Sequence, residues 1–106
     1  MNTAGEAEAR DITQLMQSAF GISSQEGAKS YITGNVIEVI KGGYLGTNGH
    51  IAIGTPDIDA AGAYLEEKGL RFDPTTTEWD ENGKKIVYLD HELAGFALHL
   101  VRKELK

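Results

Sequence analysis

The chain contains no cysteine among its 106 residues. Disulfide bonds, zinc sites built from thiolates and thiol nucleophiles are therefore excluded, and any bound metal ion must be held by nitrogen and oxygen ligands. A protein without disulfides suits a reducing compartment, so we expect a cytoplasmic location.

Positive charge is also scarce. Ten Lys and Arg residues stand against sixteen Asp and Glu residues, which gives a formal net charge of -6. Nucleic acids and anionic membrane surfaces attract basic protein faces, so we expect neither as a partner. Long apolar runs are missing, and the amino-terminal stretch MNTAGEAEAR is acidic and polar, so we expect neither a signal peptide nor a membrane anchor. The length corresponds to one domain.

The first part of this domain, residues 1–43, is predicted to contain one helix and two strands. In EAEARDITQLMQSAFG the apolar side chains recur at helical spacing, and Gly21 follows where a left-handed cap would end the helix. The predicted apolar stripe consists of Ile12, Leu15, Met16, Ala19 and Phe20. KSYITGNVIEVIKGG indicates two strands joined by a tight turn at Gly34 and Asn35.

The second part, residues 44–106, opens with the strand HIAIG and continues into a helix. Thr55 is the predicted cap of this helix, Pro56 fits its first turn, and Gly69 ends it. Several β-rich segments follow, and the last of them is FALHLVRK.

The two parts resemble each other. VIEVIK matches ALHLVR position for position, so that Glu38 corresponds to His99, and each part places strands after a helix. The first part has no predicted strand before its helix, whereas the second begins with the strand that contains His50.

Three polar side chains stand on strand faces that are otherwise aliphatic: Glu38, His50 and His99. If their strands are neighbours, two imidazoles and a carboxylate form a metal site with open positions for water or substrate. A divalent ion there would act as a Lewis acid on the oxygens of a small ligand. The alternatives are that Glu38 keeps a strand face soluble and that His99 is a structural core histidine. His91, in the loop HELAG, is interpreted as a solvated turn residue.

The segments GHIAIGTPDIDAAGAYLEEKGLRF and FALHLV resemble a module of the vicinal oxygen chelate superfamily, which includes glyoxalase I, extradiol dioxygenases and bleomycin resistance proteins. The resemblance implies an α+β fold of paired βαβββ modules around a β cup, the first module lacking its N-terminal strand. It also implies metal ligands on the first and last strands of a module. His50 and His99 occupy these positions in module two, and Glu38 occupies the last-strand position in module one.

A narrower resemblance involves VIEVIKGGYLGTNGHIAIGT and AGFALHLVRK. These segments are similar to the C-terminal glyoxalase-like domain of some bacterial 2-keto-3-deoxy-6-phosphogluconate/4-hydroxy-2-oxoglutarate (KDPG/KHG) aldolases. The resemblance covers most of the chain and implies a truncated or separately encoded form of that domain. The aldolase barrel and its Schiff-base lysine are absent from the sequence, so the resemblance does not imply aldolase activity.

Three functions are compatible with these sequence features. The first is a metal-dependent lyase or isomerase of the glyoxalase type that uses Zn, Ni, Mn or Fe. The second is a cup that binds a small molecule without catalysis, and the third is a regulatory or assembly domain that associates with an aldolase. Because a module without its first strand exposes unpaired backbone groups, we also expect a homodimer.

Overall fold

Residues 1–104, which the computed structural model describes, form two α-helices and seven β-strands in two sheets. The elements follow in the order α1 (Glu6–Phe20), β1 (Ser24–Glu26), β2 (Ser30–Thr33), β3 (Ile37–Ile40), β4 (Gly49–Thr55), α2 (Ile58–Glu67), β5 (Phe72–Asp80), β6 (Gly83–Leu89) and β7 (Phe96–Arg102). The predicted α+β class is confirmed. The chain divides into two compact units, unit 1 from Met1 to Gly49 and unit 2 from His50 onward. The boundary predicted from the sequence, between residues 43 and 44, lies a few residues before the boundary between the two units, which falls between Gly49 and His50.

Helix α1 packs on the sheet of unit 1 through small side chains. Ala9 and Thr13 are buried, and Ala9 forms a core cluster with Tyr31 and Val39. Gly21 is left-handed and the backbone turns back onto the last carbonyls of the helix, which confirms the predicted end.

The predicted apolar stripe of α1 is wrong in its second half. Leu15 is 59% exposed and Phe20 is 70% exposed. The physical reason is that the buried side of the helix runs through Ala9 and Thr13, whose small size lets the helix approach the sheet. A sequence pattern that counts only large apolar residues points to the neighbouring side.

The three strands of unit 1 form an antiparallel sheet in the order β1-β2-β3. The predicted hairpin between β2 and β3 is confirmed, because Gly34 and Asn35 have φ values of 60° and 63° and the Val36 N–H donates to the Thr33 carbonyl. Strand β1 was not predicted, because its residues SQE are polar and carry no apolar alternation.

The amino-terminal residues run beside β3. The Met1 amino group donates to the Glu38 carbonyl at 2.6 Å, the Ile40 N–H donates to the Met1 carbonyl, and the Thr3 N–H donates to the Gly42 carbonyl. Within residues 1–104 no strand precedes α1. The edge of β3 that was expected to be open is thus paired with residues 1–3.

Unit 2 has a four-stranded sheet in the order β4-β7-β6-β5, with α2 on one face. Its core consists of the buried residues Ile58, Val87 and Leu100, with Ala61, Leu65 and Phe72 packed against them. The antiparallel register pairs Val87 with Leu100 and Tyr88 with His99. Since successive side chains alternate between faces, Val87 and Leu100 face α2, while Tyr88 and His99 lie on the other face.

The start of α2 differs from the prediction. Asp57, not Thr55, is the N-cap, and its carboxylate accepts a hydrogen bond from the Ala60 N–H at 3.0 Å. Thr55 lies two residues earlier and accepts a hydrogen bond from the Asp57 N–H through its hydroxyl oxygen. Both side chains are suitable caps, and the position of the first helical turn decides between them. The Gly69 and Leu70 N–H groups close the other end of α2, as predicted.

Neither helix of residues 1–104 combines the length and the apolar character that crossing a bilayer requires.

Candidate functional site

The candidate site lies on the face of the unit 2 sheet that is opposite α2. His99 is in β7 and is 5% exposed, and its neighbour Leu100 belongs to the core on the other face. The alternation predicted for FALHLVRK is therefore confirmed. A buried imidazole on a sheet face needs polar or aromatic neighbours, because it loses hydration on burial.

His50 is the first of these neighbours. It lies in β4, which is next to β7 in the sheet, and the centroids of the His50 and His99 rings are 5.5 Å apart at an angle of 40°. The two histidines singled out in the sequence therefore lie together, although they are 49 residues apart in the chain.

Tyr88 is the second neighbour. Its ring centroid lies 4.7 Å from that of His99 at an angle of 45°, and Tyr88 is 4% exposed. Tyr88 was not among the predicted site residues. The alternation of KIVYLD places Tyr88 on the face of β6 that Val87 does not occupy. Tyr88 is the partner of His99 because of the register between β6 and β7, and neither strand alone indicates that register.

The Nδ1 atom of His99 lies 3.3 Å from the Leu100 carbonyl oxygen. A carbonyl only accepts, so this long hydrogen bond requires the proton on Nδ1. A neutral His99 in this tautomer carries its lone pair on Nε2, which is the form that a metal ligand or a general base needs.

Glu38 belongs to unit 1, where it lies in β3 opposite Ile32 of β2. It is half-buried, and its carboxylate accepts a hydrogen bond from the Ser30 hydroxyl at 2.7 Å. Burial lowers the pKa of the Met1 amino group, and the negative charge of Glu38 opposes that shift. On the face of β3 that Glu38 shares with aliphatic residues, its carboxylate therefore has the Ser30 hydroxyl as a hydrogen-bond partner.

The remaining histidine, His91, is exposed, and its Nδ1 lies 2.7 Å from a carboxylate oxygen of Asp90. Over the part of the chain that the structure describes, no three His, Cys, Asp or Glu side chains form a group that could hold a metal ion. The structure thus brings together His50 and His99, and the participation of Glu38 in the same site stays a prediction.

The chain was compared with protein families, curated proteins and solved structures. No protein-family model, no curated protein and no solved structure matches the chain. The feature of the chain that bears on function is therefore the site itself: two imidazoles on adjacent strands, with a tyrosine ring against one of them. Such a pair offers two nitrogen ligands to a divalent transition metal ion.

Proposed function

We propose that the chain is a glyoxalase-like domain that binds a divalent metal ion through His50 and His99 and, beside it, a small ligand with oxygen donors. The observation that carries the proposal is the 5.5 Å separation of the two ring centroids. Metal–nitrogen bonds of about 2.0–2.1 Å place the centroids of two imidazoles on one ion about 4.5–5.5 Å apart when the angle between them at the ion is about 90–120°. The donor set therefore fits Zn, Ni, Mn or Fe, and Glu38 is the proposed third ligand.

The element order of unit 2 supports the proposal. One strand, one helix and three strands follow one another, and the first strand lies next to the last in the sheet. Unit 1 repeats the helix and the three strands, and Met1–Thr3 lie beside β3 as β4 lies beside β7. This similarity of two separate units is the reason to propose paired βαβββ modules, of which the first lacks its N-terminal strand.

The chemistry of such a site follows from the ligands. A divalent ion supplies Lewis acidity toward a carbonyl or hydroxyl oxygen of the bound molecule. His50 and His99 would hold the ion, and Tyr88 restricts the rotation of His99 by packing against its ring. A lyase or isomerase reaction of the glyoxalase type is the catalysis that this arrangement supports, and the lack of cysteine favours a cytoplasmic setting.

The proposal is tested by metal titration of the full chain after removal of bound metal with a chelator. Calorimetry with Zn²⁺, Ni²⁺, Mn²⁺ and Fe²⁺ is expected to show one site for at least one ion. His50→Ala and His99→Gln are each expected to weaken binding by about tenfold or more, whereas His91→Ala serves as the matched control and retains it. Glu38→Gln reports whether the carboxylate is a ligand.

Because His99 is buried, His99→Gln also requires a check that the variant folds, for which circular dichroism suffices. His50 is less buried, so His50→Ala tests the site without that complication. Absence of binding to the wild-type chain, or an equal loss in His91→Ala, contradicts the metal site.

A second function is favoured by one observation on β4. Ile51 and Ile53 are 44% and 46% exposed on this edge strand of the described sheet. Edge strands with exposed aliphatic residues pair with other chains, so an assembly domain, as a homodimer or together with an aldolase domain, is the alternative to metal chemistry.

A further inference from the structure

A cavity of about 310 Å³ lies between α2 and the β5–β6 hairpin of unit 2, on the sheet face opposite His99. We call it the α2 cavity. Its apolar wall consists of Ile58, Phe72 and Val87, which belong to the core of the unit or pack against it. The volume is at the lower end of the range for small-molecule sites, about 300–1,000 Å³.

The cavity exists because α2 has small residues where it faces the hairpin. Gly62 and Ala63 line it, and a Cβ atom built on Gly62 would meet no atom within 4 Å. A larger side chain would fill this space and would also suit a helix better than glycine does. The sequence thus leaves a space that a helix residue such as leucine would close.

The side chains that line the cavity carry more negative than positive charge. Asp59 and Lys84 both line it and neutralise each other, with 2.6 Å between Nζ and a carboxylate oxygen. Glu66 also lines the cavity, and none of the hydrogen bonds or ion pairs of residues 1–104 involves its carboxylate. One negative charge is therefore left to attract a cation beside an apolar wall.

We infer that the α2 cavity binds a small organic cation, a primary amine with a compact apolar body. The ammonium group would lie near Glu66, and the apolar body would contact Ile58, Phe72 and Val87. The inference does not depend on the metal site, because none of the cavity residues is His50, His99 or Glu38.

The test is titration of the ¹⁵N-labelled full chain with three probes of the same shape: cyclohexylmethylamine, cyclohexylmethanol and cyclohexanecarboxylate. Saturable shifts are expected in α2, β5 and β6, with the amine binding about tenfold or more tightly than the carboxylate and more tightly than the alcohol. Equal affinity for the three probes, or no saturable shift with the amine, overturns the inference.

Four variants locate the site. Gly62→Leu fills the cavity and is expected to weaken amine binding by about tenfold or more, while Gly62→Ala, its control for helix propensity, retains binding.

Glu66→Gln is expected to remove the preference for the amine over the alcohol, and Glu67→Gln, one residue along the helix, to preserve it. If Gly62→Leu retains binding or Glu67→Gln matches Glu66→Gln, the α2 cavity is not the site. The glutamate pair decides the question even if Gly62→Leu fails to fold.

Discussion

At the scale of single residues, alternation along each strand indicated which side chains share a face with His50 and which share one with His99. It did not show that the two histidines are neighbours or that Tyr88 packs against His99. The side-chain period of two is a property of each strand, so FALHLVRK alone indicates which way His99 faces. Which residue packs against the His99 ring depends on pairing with β6, and that pairing is decided by the whole sheet.

Asp73 illustrates a local interaction at the same scale. Its carboxylate accepts hydrogen bonds from the Thr75 hydroxyl at 2.6 Å and from the Thr75 N–H at 3.0 Å. These two bonds, the hydroxyl first, lower the pKa of Asp73 below its ordinary value of 3.8. A lowered pKa in the folded state means that the ionised carboxylate stabilises the fold above the ordinary pKa, and that this contribution is lost as the pH falls through the folded-state value.

We therefore expect Thr75→Val to raise the pKa of Asp73 toward 3.8, because the hydroxyl donor is removed while the N–H donor stays. NMR titration of the Asp73 carboxyl carbon measures the shift. Thr77→Val is the matched control, since no hydrogen bond of residues 1–104 joins Thr77 to Asp73. An unchanged Asp73 pKa in Thr75→Val would contradict the assignment.

At the scale of elements, the C-terminal ends of helices and the hairpin turn were predicted better than the start of α2 and the buried side of α1. Glycine at the end of α1 and the Gly34–Asn35 turn have local conformational causes, so four or five residues suffice to identify them. The buried side of α1 and the cap of α2 were predicted incorrectly, because neighbouring residues offer the same chemistry and packing chooses among them.

The β2–β3 turn provides the prediction for this scale. Gly34 has a φ of 60°, and a Cβ atom there would lie 3.0 Å from Cγ2 of Ile22. We expect Gly34→Ala to lower the free energy of unfolding by about 1–2 kcal/mol, since L-residues disfavour this conformation and the contact is tight. Urea denaturation measures the change.

Gly43→Ala is the control for the hairpin variant. A Cβ atom at Gly43 would meet nothing within 4 Å, and its backbone is outside the left-handed region. We expect a change of about 0.5 kcal/mol or less. Equal destabilisation by the two substitutions would show that turn geometry is not the cause.

At the scale of the whole molecule, the strand edge that supports a homodimer is a different one from the edge expected from the sequence. The edge of β3 is paired with Met1–Thr3, so unit 1 does not present there the unpaired strand edge from which a dimer was expected. The edge strand β4, with its half-exposed isoleucines, supports it instead.

We expect the chain to be a dimer in light scattering at about 50 µM and Ile53→Lys to shift it to the monomer, because a charged residue on an edge strand opposes pairing. Val36→Lys is the control, since Val36 is 85% exposed beside the β2–β3 turn and does not lie on β4. A monomeric wild-type chain at this concentration, or a dimer that persists in Ile53→Lys, contradicts association through β4.

The order of residues alone established the α+β class, the hairpin, the C-terminal ends of both helices and the alternation of β7 around His99, because each depends on short-range periodicity or on the conformational preferences of a few residues. Three-dimensional packing alone revealed the His50–His99–Tyr88 group, the buried side of α1 and the α2 cavity. Strand order, register and the distance between a helix and its sheet are set by contacts between residues far apart in the chain, and no local pattern encodes them.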